Sequence, residues 1–206
     1  MIEFPIKKYK KPEFFFQEYI NTLNQVSLKI NLTELRNIYK ILDKAINNRK
    51  KILVFGNGGS ASIANHFLCD FNKGVKISSK KKKLPRFISL TNSTEIITAI
   101  ANDISYDEIF SHQIENYIDE GDCLIGLSCS GTSTNIIKAL RKNFKKKNIY
   151  KILISGFSYR KLNFKVNVHL DLKCQNYGIT EDLFSAILHM LSQYIRQKYH
   201  NEKNIL

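Results

Sequence analysis

The chain has 206 residues, of which 43% are hydrophobic, enough for one domain with a substantial core. No uninterrupted apolar run approaches the roughly eighteen residues that a membrane span needs. The opening "MIEFPIKKYKKPEFFF" lacks the basic-then-apolar order of a secretory signal, so a cytoplasmic protein with no membrane partner is expected. The net charge of +14 is spread along the chain apart from lysine runs at 80–83 and 145–147, and it reads first as solvated surface. A helpful field for an anionic small molecule is the second reading, and no nucleic-acid partner is expected.

Residues 12–48 predict two helices. Asn31 followed by Glu34 forms a capping-box pattern, and Leu35, Ile38, Leu42 and Ala45 then recur on one apolar face. That face has two candidate partners, a second subunit or the chain's own sheet. "KILVF" (51–55) reads as a buried strand and 60–72 as a helix. The lysine run at 80–83 reads as an exposed loop, "RFISL" (86–90) as a strand, and 94–101 and 106–118 as helices. "CLIGL" (123–127) is a strand, and 133–147 a helix with Ile136, Ile137, Leu140 and Phe144 inward. "YKILIS" (150–155) and "VNVHL" (166–170) are strands, and 179–199 is a long last helix. Short apolar strands alternating with helices imply an α/β fold, a parallel sheet covered on both faces in three layers. The whole chain, 1–206, reads as one domain, with an N-terminal helical segment (1–48) and an α/β core (49–206). Cys69, Cys123, Cys129 and Cys174 contain no C-x-x-C pair, which argues against zinc ribbons and thioredoxin chemistry and fits reduced, partly buried thiols.

Two strand-to-helix turns carry the chemistry. The first, "GNGGSA" (56–61), fits G-x-G-x-x-A through Gly56, Gly58 and Ala61. A dinucleotide site also wants an acid at the end of the next strand for the ribose hydroxyls. That strand ends "SLTNS" (89–93), so a dinucleotide is not expected. What remains is a glycine turn, with Gly58 and Gly59 bringing backbone N–H groups and the Ser60 hydroxyl close to a ligand at a helix N-terminus. The second turn, "SCSGTS" (128–133), gathers the hydroxyls of Ser128, Ser130, Thr132 and Ser133 around one glycine. Hydroxyls, free N–H groups and the helix dipole all favour a phosphate. Two such turns at strand C-termini in one open sheet predict a phosphorylated ligand.

"GNGGSASIANHF", "TAIANDISYDEIF" and "GDCLIGLSCSGTSTNIIKAL", in this order and at this separation, resemble the sugar-isomerase (SIS) domain family and, within it, the phosphoheptose isomerases. The likeness runs from about residue 35 to the last helix. It implies a five-stranded parallel sheet flanked by helices, and a homotetramer with active sites between subunits. It further implies that Ser60, Ser128, Ser130 and Ser133 hold a sugar phosphate, with Asn57, Ser93 and Thr94 at the rest of the substrate. His66 would be a ligand of a divalent metal, zinc being the expected ion. Asp70 lies where the family has a catalytic Glu, Glu181 where it has a Gln that can also bind metal, and His189 at the catalytic His. Three departures stand out. Asp70 is one methylene shorter than Glu. Ser93 replaces an active-site Asp. "TEDLFSAILH" replaces "QE..H....H", which puts Phe184 at the first His. These departures leave the sugar open and fit a distinct subgroup serving surface-polysaccharide synthesis.

Taken by themselves, His66 and Asp70 are four apart on one helix face, a spacing that suits a shared metal or a hydrogen-bonded pair and that also occurs in ordinary surface pairs. On the last helix Asp182 is seven residues from His189 and nearly aligned with it, whereas Glu181 is eight residues away and about 80° round. Spacing pairs His189 with Asp182, and the resemblance turns Glu181 inward. A carboxylate and an imidazole suffice for aldose–ketose isomerisation through an enediolate. Asp70 and His189 are expected to handle the proton. His66, Asp70, Glu181 and His189 are the expected metal ligands. His112, Gln113, Asn102 and Asp103 are expected to be structural, Cys129 to point into the sheet, and His169 to be a core or edge residue. The expected activity converts sedoheptulose 7-phosphate to D-glycero-D-manno-heptose 7-phosphate. The competing reading is a non-catalytic SIS protein that binds a phosphosugar or a partner such as a replication initiator. The retained carboxylates and imidazoles speak for the enzyme.

Overall fold

The apolar run at 51–56 is buried on both sides because helices cover both faces of its sheet. The structure is a computed structural model and describes residues 1–80, 82–144, 148–157 and 162–200. A two-residue strand β1 (Ile2–Glu3) leads to helices α1 (Pro12–Ser27) and α2 (Leu32–Asn47). Next come β2 (Lys51–Gly56) and α3 (Gly59–Leu68), which runs through a π-helical stretch (Cys69–Val75) into the single turn α4 (Lys76–Ser78). Then come β3 (Arg86–Ser89), α5 (Thr94–Asp103), a 3-10 turn (Tyr106–Glu108), α6 (Ser111–Tyr117), β4 (Cys123–Ser128) and α7 (Thr134–Arg141). β5 (Tyr150–Ser155), β6 (Val168–Asp171), β7 (Cys174–Gln175) and α8 (Tyr177–Tyr199) complete the chain.

β3, β2, β4, β5 and β6 lie in that order in one sheet, and every neighbouring pair is parallel. From β2 the chain first steps outward to β3, then returns past β2 to β4. The order therefore reverses between β2 and β4, and open α/β sheets hold ligands at such a switch point, outside the carboxyl ends of the strands. Gly56 pairs with Leu127 in the register, so the glycine turn and the serine loop leave the sheet side by side.

Alternate strand residues feed two cores, as the strand period requires. Ile52, Val54, Ile125, Leu127, Ile152 and Ile154 face α2, α3 and α8. Leu53, Phe55, Leu124 and Leu153 face the side of α6 and α7. Helix α2 packs on its own sheet through Ile38, Leu42, Ala45 and Ile46, and its N-cap Asn31 accepts from the N–H groups of Thr33 and Glu34 at 3.0 and 3.2 Å. Helix α1 packs lightly on α8 and leaves Phe14, Phe16, Ile20 and, past its end, Leu28 exposed.

Three elements differ from expectation. The helix expected to end at 72 continues to Ser78 through the π-helical stretch. Phe67, Phe71, Val75 and Ser79 are all buried at a strict four-residue step, and a turn closed over five residues, wider than the 3.6 of an α-helix, suits that step. Arg196 of α8 clasps the far end, its Nε donating to Ser78 Oγ at 3.0 Å. The helix expected over 106–118 is split, because Ser111 turns its hydroxyl back onto the Glu108 carboxylate at the junction. α7 stops at Arg141, because Lys142 is extended and its carbonyl is taken by Lys151 Nζ at 2.9 Å. Phe144 is buried all the same, and 145–147 lie outside the described residues, as does Lys81 of the lysine loop. Among the described residues no helix is long and apolar enough to cross a membrane.

Candidate active site

After β2 the chain must turn sharply into α3, and Gly58 does so at φ +54°, ψ −125°, a conformation that side-chain-bearing residues rarely adopt. Gly59 opens the helix, and Ser60 behind it is almost wholly buried. After β4 the serine loop folds on itself. Ser128 and Ser133 hydroxyls are 3.1 Å apart, the Gly131 N–H donates to Ser128 Oγ at 3.1 Å, and the Thr132 N–H donates to Ser130 Oγ at 3.2 Å. The two turns are bolted together by a reciprocal amide pair. Asn57 Nδ2 donates to Asn135 Oδ1 at 2.9 Å, and Asn135 Nδ2 donates back to Asn57 Oδ1 at 3.0 Å. Tyr106 adds a 3.3 Å hydrogen bond to the same Asn57 oxygen.

Between the turns lies a cavity of about 240 Å³, with Asn57, Gly58, Gly59, Ser60, Ser128, Ser130 and Ser133 in its wall. Thr132 is exposed and outside that wall, with its hydroxyl on Ser130. Ser93 and Thr94 stand at the start of α5, also outside it, and the Ser93 hydroxyl donates to Glu95 at 3.2 Å. Cys129 is buried among core residues, as an apolar group would be. Its Sγ nevertheless lines the cavity, 3.8 Å from Ser60 Oγ and 3.7 Å from Glu181 Oε1. Burial first, and the nearby Glu181 second, push this thiol up to about 12, so it is not a thiolate at neutral pH.

Helix α8 runs past the cavity. Its N-cap Asn176 accepts from the Ile179 N–H at 2.9 Å and donates to the Phe4 carbonyl at 3.1 Å, which ties the helix start to the first residues of the chain. Glu181 faces the cavity, and Ser60 Oγ donates to its Oε1 at 3.3 Å. Asp182 faces away and accepts from Tyr19 of α1 at 2.6 Å; burial and this carboxylate hold the Tyr19 hydroxyl well above its usual range.

Two turns further along α8, His189 meets His66 and Asp70. The Nε2 atoms of the two imidazoles are 2.9 Å apart with the rings perpendicular at 89°. Asp70 Oδ2 lies 3.4 Å from His189 Nε2 and 3.7 Å from His66 Nε2. That oxygen is buried and has no hydrogen-bond partner. Three ligand atoms therefore gather within 4.8 Å of one another, and the orphaned carboxylate oxygen facing two imidazole nitrogens is a donor set that fits a divalent cation. Glu181, the fourth expected ligand, is not in this group. It precedes His189 by eight residues, about 12 Å along the helix axis, and its carboxylate lies on the glycine turn. Phe184, at the position of the family's first His, is fully buried in the core.

Of the residues expected to be structural, Gln113 is buried and donates to the carbonyls of Leu90 and Ile109, whereas Asn102 and Asp103 are exposed. His169, in β6, faces the Ser155 hydroxyl at 2.8 Å. The sequence suggests neither Leu127, Cys129, Ile136 and Tyr177 as cavity wall nor the bracing of Asn57 by Asn135 and Tyr106. Asn135 had one signal, a polar residue beside Ile136 in the first turn of an otherwise apolar helix face.

The SIS domain matches residues 15–155. The chain belongs to the SIS-domain family. Among its relatives, a protein of Thermoplasma acidophilum named probable phosphoheptose isomerase is 32% identical over 183 residues, which cover 89% of this chain and 98% of that one. The phosphoheptose isomerase of Thermodesulfovibrio yellowstonii is 33% identical over 165 residues, 80% of each chain. Among solved structures, the phosphoheptose isomerase GmhA from Neisseria gonorrhoeae superposes with a TM-score of 0.77 at 26% identity, covering 90% of this chain and 97% of that one. A phosphoheptose isomerase from Francisella tularensis shares the fold, with a TM-score of 0.76 at 24% identity over 93% and 100% of the two chains.

Proposed function

We propose that this SIS-domain protein is an aldose–ketose isomerase that converts sedoheptulose 7-phosphate to D-glycero-D-manno-heptose 7-phosphate. The observation that carries the reading is the meeting of Asp70 and His189, brought from separate elements, on a fold whose switch point holds a hydroxyl-lined cavity. The names of its relatives support the same activity.

The substrate phosphate sits between the two turns, met on one side by Ser60 and the α3 N-terminus and on the other by Ser128, Ser130 and Ser133, the backbone N–H groups of the loop and the α7 N-terminus. The open-chain ketose then extends along α8 toward the His–Asp cluster. One of the pair Asp70 and His189 removes a proton from C1. The other supplies a proton to the C2 oxygen, so that charge does not build up on the enediolate. The proton is returned to C2, and loss of the C1 hydroxyl proton leaves the aldehyde. His66, in contact with both partners, orients them. A divalent cation, zinc foremost, would be held by His66, Asp70 and His189, and when bound it would polarise the sugar oxygens as a Lewis acid.

The exposed apolar residues Phe14, Phe16 and Ile20 of α1 support a homo-oligomer, and a tetramer of the 23.9 kDa chain is the assembly proposed. Four free cysteines suit a reducing cytoplasm. The test is incubation of pure protein with sedoheptulose 7-phosphate, with and without zinc, and detection of the product by NMR. The aldose phosphate is the expected product. No turnover of heptulose, hexulose or pentulose phosphates would remove the enzyme reading.

A further inference from the structure

The glycine-turn side of the cavity already contains an anion. The Glu181 carboxylate lies so close over Gly59 that a Cβ built there would collide with it, its Cδ and Oε1 at 2.6 Å. Ser60 donates to the same carboxylate at 3.3 Å, and the Cys129 thiol stands 3.7 Å from it. Gly59 is the first residue of the ten-residue helix α3, so the acid sits where free N–H groups and the positive end of the dipole favour negative charge. Among the described residues no lysine, arginine or histidine is in the cavity wall, which leaves Ser60, Cys129 and the helix end to balance Glu181 there.

We propose that Glu181 is a resident anion in the glycine-turn seat, and that a phosphosugar must displace its carboxylate, which makes Glu181 a residue that sets affinity for the phosphate end of the substrate. This rests on the reading that the phosphate binds between the two turns. A phosphate dianion entering a cavity of about 240 Å³ beside a carboxylate with no cationic side chain against it meets like-charge repulsion at short range, in a site partly withdrawn from water. The carboxylate holds the Ser60 donor and the helix end ready, and gives them up when the stronger anion arrives.

Calorimetric titration of the full-length protein with inorganic phosphate at fixed ionic strength tests the proposal without any turnover. Glu181→Gln, which keeps the shape and removes the charge, should bind phosphate about tenfold more tightly than the wild type, and Glu181→Ala should do so as well. Adding Ser133→Ala to Glu181→Gln should cancel most of the gain. Equal or weaker binding by Glu181→Gln overturns the proposal and leaves the phosphate site standing. A gain that survives Ser133→Ala puts the ion elsewhere and overturns it too. No phosphate binding by either the wild type or Glu181→Gln overturns both the proposal and the phosphate reading beneath it.

Discussion

The turn after β2 and the turn after β4 both end a buried strand, both use a glycine at positive φ, and both bring a helix N-terminus to one cavity. They differ in the helices they open. α3 carries His66 and leads into the π-helical stretch with Asp70, and its first residues face Glu181. α7 carries Asn135 to the bolt between the turns and Ile136, Ala139 and Leu140 into the core, behind a loop of hydroxyls that bond to one another. On the proposed function, the same strand–turn–helix unit is used twice at one switch point, the first bringing the reactive groups and the second supplying most of the grip. Chemistry and grip are separable in such a fold, because each turn is a local structure hung on its own strand.

That separation can be broken at graded cost. Asp70→Asn and His189→Ala, on the reactive side, should each lower kcat by about a hundredfold to ten-thousandfold with an unchanged circular dichroism spectrum, measured by NMR turnover. Ser133→Ala, on the binding side, should raise KM about tenfold and leave kcat within a few-fold, because a hydrogen bond to a charged phosphate is lost in ground and transition states alike. A comparable kcat loss in Ser133→Ala would erase the distinction between the turns. Zinc at about a hundred times its dissociation constant should raise the melting temperature of the wild type by about 5–10 °C. His66→Ala should lose most of that rise, with metal content measured in parallel. Asn135→Ala, which cuts the bolt between the turns, should cost about 2 kcal/mol, read as a melting temperature lower by several degrees.

Both turns were legible in the sequence because glycine and hydroxyl spacing is local chemistry, and so were the five strands, whose apolar runs are short and bounded. The position of Glu181 was only half legible. Spacing along α8 fixes its angle relative to His189. What it touches depends on how α8 packs on α3, between residues 121 positions apart in the case of Ser60 and Glu181. The partnership of Asn57 with Asn135 is hidden for the same reason, with 78 positions between them. Cys129 read correctly as buried but not as a cavity wall, since a strand-end residue has one side on the core and one on the opening. The π-helical stretch had a signal in the four-residue step of Phe67, Phe71 and Val75, a step that also passes for one edge of an ordinary amphipathic helix.

The widened turn at 69–75 makes the site sensitive to chain length as well as to chemistry. Inserting one further residue between 72 and 74 would add a step that this turn, already holding one residue more than an α-helical turn, does not absorb. Everything beyond would then swing by about 100° around the axis, carrying Ser78 away from Arg196 and loosening the clasp that holds this helix against α8. His66, Asp70 and His189 would all still be encoded, yet their meeting point would lose its support. In-frame single-residue insertions there should therefore behave like active-site lesions, a form of vulnerability that substitution scans alone would miss.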